Sequence, residues 1–269
     1  MALHKAMTIA GSDTSGGAGM EADLKTFTAL GVYGMAALTV IVAQNPHKEW
    51  EHELFAIETA VIEKQIETIV AGIGIDAMKT GMLGSAELVE LVAKVIDKYS
   101  LKNVVIDPVM VCKGIDAIMV PEAAEAIKAV LVQRADVITP NSIEAAYLAG
   151  MPKVETLEEI KEAAGRIKEL GARYVIIKSG SRSVGDEAAD VLYDGKEYQV
   201  FAEKKIEPCF NHGAGCTFSA AICAGLAKGL SVNEALAQAK AFIAAALRES
   251  FRLNQYGGAT NHCVYAKSL

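Results

Sequence analysis

The chain predicts an α/β fold built on a mainly parallel sheet. Short apolar runs of β-forming residues alternate with longer segments of helical period along all 269 residues, the sequence form of βαβ units. Strand after strand also ends in small or polar residues: Gly11-Ser12-Asp13, Gln44-Asn45, Lys79-Thr80-Gly81, Asp107-Pro108, Thr139-Pro140-Asn141 and Lys178-Ser179-Gly180. In an open parallel sheet ligands bind at the carboxyl ends of strands, so these clusters are expected along one rim. No linker, repeat or low-complexity tract interrupts the alternation, and 52% hydrophobic content supports a large core, so residues 1–269 are expected to form a single domain.

The apolar runs place strands at residues 6–10, 36–43, 77–80, 103–107, 136–139 and 174–177. Segments of helical period between and after them predict helices over 19–30, 59–72, 86–98, 122–132, 157–170, 215–228 and 232–250. Two further runs, 188–193 and 198–202, flank Asp194-Gly195, a hairpin signal that predicts an antiparallel pair at a sheet edge.

A net charge of -7 with no basic tract argues against nucleic acid or an anionic membrane as partner. No run of 18 apolar residues is present, so no membrane-spanning helix is expected, and the first residues lack a signal-peptide pattern, which makes a cytoplasmic protein the expectation. Cys112, Cys209, Cys216, Cys223 and Cys263 are odd in number and show no metal-type spacing, which fits a reduced chain without disulfides.

The most informative motif is Asn211-His-Gly-Ala-Gly-Cys216-Thr-Phe-Ser219, a glycine-bearing turn that runs into an Ala-rich helix. The first N–H groups of a helix lack intrahelical partners and sit in the positive end of its dipole, so the turn suits a phosphate. The same field favours a thiolate at Cys216. The plain alternative is a connection followed by an inert buried thiol. Gly11-Ser-Asp-Thr-Ser-Gly-Gly-Ala-Gly19 is long for a βα turn; there Asp13 either accepts a substrate hydroxyl or caps the next helix. Asn141 and Glu144 stand one helical turn apart, a pair that suits hydrated Mg²⁺ or, alternatively, an N-cap with a capping-box Glu. Lys178 ends an apolar strand, where its charge needs an anion unless it is an ordinary surface Lys. No G-x-x-x-x-G-K-[ST] loop exists, and Gly17-Ala18-Gly19 is followed by Ala22 where a nicotinamide-binding fingerprint has its third glycine.

Taken together, Thr8-Ile-Ala-Gly-Ser-Asp13, Gly16-Gly-Ala-Gly19, Ala22-Asp-Leu-Lys25, Lys79-Thr-Gly-Met82, Asp107-Pro-Val-Met110, Thr139-Pro-Asn141-x-x-Glu144 and His212-Gly-Ala-Gly-Cys-Thr-Phe-Ser219 resemble the ribokinase superfamily, in its branch of hydroxymethylpyrimidine kinases and related pyridoxal kinases. The resemblance implies a three-layer α/β/α sandwich, a commonly dimeric enzyme, and ATP-dependent phosphorylation of a hydroxymethyl group with Mg²⁺. It implies Cys216 as catalytic base and Gly213, Ala214 and Gly215 as the anion hole. It further implies Gly11, Asp13, Gly19, Gln44, Met82, Val109, Cys112 and His212 around a small-molecule substrate, Lys178, Asn141 and Thr217 at ATP, and Glu144 with Asn141 at the metal. The resembling pyridoxal kinases pair a Cys at position 112 with the one in the anion hole to trap the aldehyde, so pyridoxal is the expected substrate; Gln44-Asn45 matches the pyrimidine kinases and keeps hydroxymethylpyrimidine as the alternative. Two positions depart from the pattern: Ala214 stands where Thr is more frequent, and Ser179 where Gly is usual.

Overall fold

The computed structural model describes residues 3–111, 118–180 and 186–265. The chain divides into two compact units, Met1–Gly84 with Ile206–Leu269, and Ser85–Lys205. In chain order the first unit contains β1 (Lys5–Asp13), α1 (Gly19–Ala29), β2 (Tyr33–Asn45), β3 (Glu51–Ala56), α2 (Thr59–Glu67) and β4 (Ala77–Thr80). The second contains α3 (Ala86–Tyr99), β5 (Val104–Ile106), α4 (Pro121–Ala126), β6 (Val137–Ile138), α5 (Ser142–Ala149), α6 (Leu157–Glu169), β7 (Tyr174–Lys178), β8 (Glu187–Tyr193) and β9 (Tyr198–Lys204). The chain then returns to the first unit with α7 (Ala214–Ala227), α8 (Val232–Arg248), β10 (Phe251–Asn254) and β11 (Gly257–Ala259).

In the first unit the strand order is β3-β2-β1-β4, with β1 parallel to both β2 and β4 and β3 antiparallel on β2. Within β1, Ala6, Met7 and Ile9 are fully buried, as expected of a strand covered on both faces. Helices α1 and α7 cover it: α7 is buried almost along its whole length, from Thr217 to Ala227, and packs against α1, α8 and β4. Its small residues permit this close approach; a Cβ at Gly225 would lie 2.7 Å from the Cβ of Ala235 on α8.

In the second unit β5, β6 and β7 are parallel in that order, and β8 and β9 continue antiparallel. The Asp194-Gly195 hairpin is present, with Tyr193 paired to Tyr198 and their rings stacked 4.1 Å apart. Helix α6 shows why its sequence folds locally: Thr156 and Glu159 form a reciprocal capping box, and Ile160, Ala163, Ala164 and Ile167 make its buried stripe.

The expected strands and helices are found, with differences that have local causes. Strand β2 runs to 13 residues because its last part pairs with β3, a largely exposed strand whose apolar residues, Leu54, Phe55 and Ala56, make too short a run to mark it. The hairpin β10–β11 was equally silent in the sequence, since Phe251, Arg252 and Leu253 are all exposed. The segment read as one helix over 122–132 is α4 followed by a π-helical turn at Ile127–Leu131, and 59–72 ends in another at Thr68–Ile73. Among the described residues no helix is long and apolar enough to cross a membrane.

Candidate functional site

In the first unit the two glycine turns expected at opposite ends of the sequence touch. Helix α7 begins at Gly213, which has φ +80°, a left-handed conformation that side chains rarely adopt, and a Cβ placed there would lie 1.8 Å from the carbonyl oxygen of Gly17. A Cβ on Gly17 would in turn meet His212 Cδ2 at 2.6 Å. Glycine at both places is therefore what lets the N-terminal loop lie directly on the turn that opens α7.

No side chain caps α7. Gly215 is exposed and Cys216 is half-buried in the first turn of α7. Thr217 departs from expectation: it is fully buried, and its hydroxyl donates to Gly213 O at 2.8 Å and accepts from His262 Nε2 at 2.8 Å. It braces the turn from within and is not placed to touch ATP. His262 emerged from no sequence pattern, yet it supports this brace; burial, helped by the positive charge of Lys25, pushes its imidazole down to about 4 and keeps it neutral.

Asp13 also differs from its expected role as a substrate contact. Its Oδ1 accepts from Ser15 N at 2.9 Å and Gln44 Nε2 at 2.7 Å. Its Oδ2 accepts from Ser15 Oγ at 2.9 Å, Ala18 N at 2.8 Å and His212 Nε2 at 2.7 Å. Five protein donors thus occupy a carboxylate that is 5% exposed. Burial pushes the group up, but the hydrogen bonds from His212, Ser15 and Gln44 and the field of His212 outweigh it and hold the carboxyl well below the usual range. Glu21, in the first turn of α1, fixes the same loop by accepting from Ser12 Oγ and Asp13 N. Gly11 and Gly19 lie against each other: a Cβ on Gly19 would fall 2.3 Å from Gly11 O. Met82 sits close to Gly11, and its carbonyl accepts from Thr39 Oγ1 at 2.7 Å. Gly11, Asp13, Gly19, Gln44, His212, Gly213 and Cys216 are therefore all carried by this unit.

Lys79, the penultimate residue of β4, is not a rim residue. Its side chain is fully buried and its Nζ donates to both oxygens of Asp23 on α1 at 2.9 Å, while Thr8 Oγ1 donates to the same carboxylate at 2.6 Å.

In the second unit the strand ends after β5, β6 and β7 gather a separate polar cluster. Lys178 Nζ donates to Asp107 Oδ1 at 2.8 Å, Thr139 Oγ1 donates to the same oxygen at 3.2 Å, and Lys178 N donates to Pro140 O at 2.9 Å. The anion that Lys178 needed is thus supplied by Asp107. Asn141 and Glu144 form a full capping box at the start of α5: Asn141 Oδ1 accepts from the N–H groups of Ile143 and Glu144, and Glu144 Oε2 accepts from Asn141 N at 2.9 Å. Glu144 Oε1 accepts from Met110 N at 3.3 Å. Glu144 is 3% exposed; burial, opposed by Lys178 and reinforced by Asp107, pushes its carboxyl up to about 7. These oxygens serve the cap, so the pair does not fit as a direct ligand set for Mg²⁺, and no group of three or more His, Cys, Asp and Glu that would hold a metal occurs among the described residues. Val109 is half-buried in this unit, with its N–H on Asp107 O, and Cys112 lies outside the described residues.

Residues 13–261 match the family model described as phosphomethylpyrimidine kinase. The chain is 55% identical over 262 residues to pyridoxine kinase of Bacillus subtilis, covering 97% of each chain. It is 38% identical over 268 residues to the hydroxymethylpyrimidine/phosphomethylpyrimidine kinase of the same organism, covering 100% of this chain and 98% of that one. Among solved structures, an ADP complex of Bacillus subtilis pyridoxal kinase superposes with a TM-score of 0.95 at 54% identity, covering 98% of this chain and 99% of that chain. The pyridoxal kinase of Staphylococcus aureus in complex with AMP-PCP and pyridoxal gives 0.93 at 43% identity, covering 99% and 96%. The α/β fold with a mainly parallel sheet, expected from the sequence, is the fold of these kinases.

Proposed function

The chain belongs to the phosphomethylpyrimidine kinase family, and on that premise we propose that it is an ATP-dependent vitamin kinase, acting as one domain in the cytoplasm, that phosphorylates the hydroxymethyl group of pyridoxal and pyridoxine. The observation that carries this reading is the uncapped start of α7, with Gly213 laid on the N-terminal loop and the half-buried Cys216 in its first turn. Phosphoryl transfer asks for removal of the alcohol proton and for stabilisation of charge on the transferred group. Cys216 takes the proton from the hydroxymethyl oxygen, and the N–H groups of the Gly213 to Cys216 turn stabilise the equatorial oxygens of the phosphoryl group in transit. Lys178 exchanges its Asp107 partner for the nucleotide's phosphates. Mg²⁺ is the usual companion of ATP, and Asn141 and Glu144, committed to the cap of α5, do not fit it as direct ligands.

Pyridoxal and pyridoxine are favoured by the 55% identity to a pyridoxine kinase against 38% to a hydroxymethylpyrimidine kinase. Gln44-Asn45, as in the pyrimidine kinases, supports hydroxymethylpyrimidine as a second substrate. Steady-state phosphorylation of pyridoxal, pyridoxine and hydroxymethylpyrimidine by the purified protein tests the reading, with the highest kcat/KM expected for the B6 vitamers. Cys216→Ala is expected to lower kcat about 10²–10⁴-fold, the range of a lost general base; a near-normal rate refutes the base. Cys112→Ala should impair pyridoxal turnover more than pyridoxine turnover, and an equal loss on all three substrates removes the aldehyde trap. A homodimer is the expected assembly, checked by light scattering.

A further inference from the structure

Asp13 holds its partners in one orientation only. A carboxylate accepts hydrogen bonds and donates none, so the Gln44 amide turns its Nε2 toward Asp13, at 2.7 Å, and His212 likewise keeps a proton on Nε2, also at 2.7 Å. The reversed amide would place Oε1 against an anion. Among the described residues Gln44 Oε1 has no hydrogen-bond partner, and no buried side-chain nitrogen or oxygen there lacks one, so Oε1 is open to solvent. Gln44 is itself half-buried, at the end of β2.

From this we infer that Asp13 is a positioning residue that sets the hydrogen-bonding polarity of the substrate pocket: by claiming the Gln44 amide hydrogen it leaves Gln44 Oε1 outward as an acceptor, so the pocket selects a heteroaromatic alcohol that offers an N–H or O–H at that point. The selection of a vitamin rests on the kinase reading above; the orientation of Gln44 and the protonation of His212 do not. Asp13 touches no ligand in this scheme. Its effect passes through two side chains, and its remaining contacts to Ser15 and Ala18 keep the carboxylate from turning. The other charged groups against the loop come from α1, Glu21, which accepts from Asp13 N, and Lys25, whose Nζ donates to Gly16 O at 2.6 Å, while His52 of β3 stands opposite position 44 in wild type and variants alike. Neither Glu21 nor Lys25 contacts the Gln44 amide.

Gln44→Glu tests the inference. The new carboxyl faces the Asp13 carboxylate at hydrogen-bond distance, so the pair must share a proton. While that proton is present the variant donates O–H to Asp13 and shows a carbonyl oxygen outward, as the wild type does. Once it is lost, two anions repel. KM for pyridoxine in the variant should therefore rise about tenfold per pH unit above a raised carboxyl pKa, with kcat nearly unchanged, and wild type should lack this limb. Gln44→Met, which removes the acceptor altogether, should show a raised KM at every pH. A Gln44→Glu profile parallel to that of Gln44→Met overturns the inference. Independently, long-range ¹⁵N–¹H NMR of the full wild-type chain with labelled histidine should find His212 protonated at Nε2 at every pH where the protein is folded. An Nδ1–H tautomer, with Nε2 bare, overturns it as well. Should the wild type phosphorylate none of the three vitamins, the kinase reading fails by itself, and the NMR result still decides the role of Asp13.

Discussion

Replacing Lys79 by Met isolates the ion pair beneath the N-terminal loop. Lys79 and Asp23 are both 0% exposed and joined by two hydrogen bonds of 2.9 Å, with Thr8 adding one of 2.6 Å. Such a pair gives little net stability over an apolar replacement of equal volume, but loss of one member leaves the other charge to be neutralised at a buried site, at a cost of about 3–5 kcal/mol. For a chain of this length each kcal/mol lowers Tm by about 2 °C, so Lys79→Met should melt about 6–10 °C below wild type. Removing the second charge too, as Lys79→Met with Asp23→Leu, should recover most of the loss and leave about 1–2 kcal/mol, chiefly from the Thr8 hydroxyl that no longer has its acceptor. The assay is urea unfolding of the single and double variants at pH 7, followed by circular dichroism, with m compared so that a change in the denatured state is recognised. A single variant within about 1 kcal/mol of wild type, or a double variant whose loss equals the sum of the two singles, refutes the argument.

Two further perturbations follow from the geometry. Gly213→Ala puts a Cβ 1.8 Å from Gly17 O at φ +80°, so the turn must move; kcat/KM should fall by about 10²-fold or more, as for a reacting group displaced by an ångström, and a rate within threefold of wild type contradicts the contact. Glu144 has a carboxyl raised from 4.5 to about 7, so between these values the folded protein holds a proton that the unfolded chain has released, and stability falls as pH rises through this window and levels off above it. The drop summed over the window is about 3 kcal/mol. Glu144→Gln keeps a capping-box residue and removes the titration, so its urea stability should vary less between pH 5 and 7 than that of wild type; parallel curves argue against burial as the cause.

The fold was legible wherever burial imposed a period. Strands β1, β5 and β7 are runs of β-branched and small apolar residues because both of their faces are covered, and α3 and α6 carry stripes that pack on one side. Strand β3 and the hairpin β10–β11 were invisible for the opposite reason: their residues are largely solvent-exposed, so they are held by backbone pairing, which leaves no mark on composition. Trp50 and Tyr256, at the tips of these two hairpins, stack at 6.1 Å, a contact between residues 206 positions apart that periodicity has no means of finding.

The site was legible in its turns and much less so in its partnerships. Glycine at 11, 19 and 213 marks places where backbone lies on backbone, a requirement that local sequence expresses directly. What a polar side chain does depends instead on which donors the fold brings to it. Asp13 was readable as a substrate contact and Lys79 as part of a polar strand end on the rim; Asp13 collects five protein donors, and Lys79 turns inward to Asp23 across 56 positions. Asn141 and Glu144 resolve in the same way into a cap. Within its own unit each of these residues holds neighbouring groups in place, and for Asp13 and Lys79 that role depends on partners far away in the sequence. Cys216 differs from them in that its expected role draws on local structure alone, a place in the first turn of a helix, and α7 begins two residues before it.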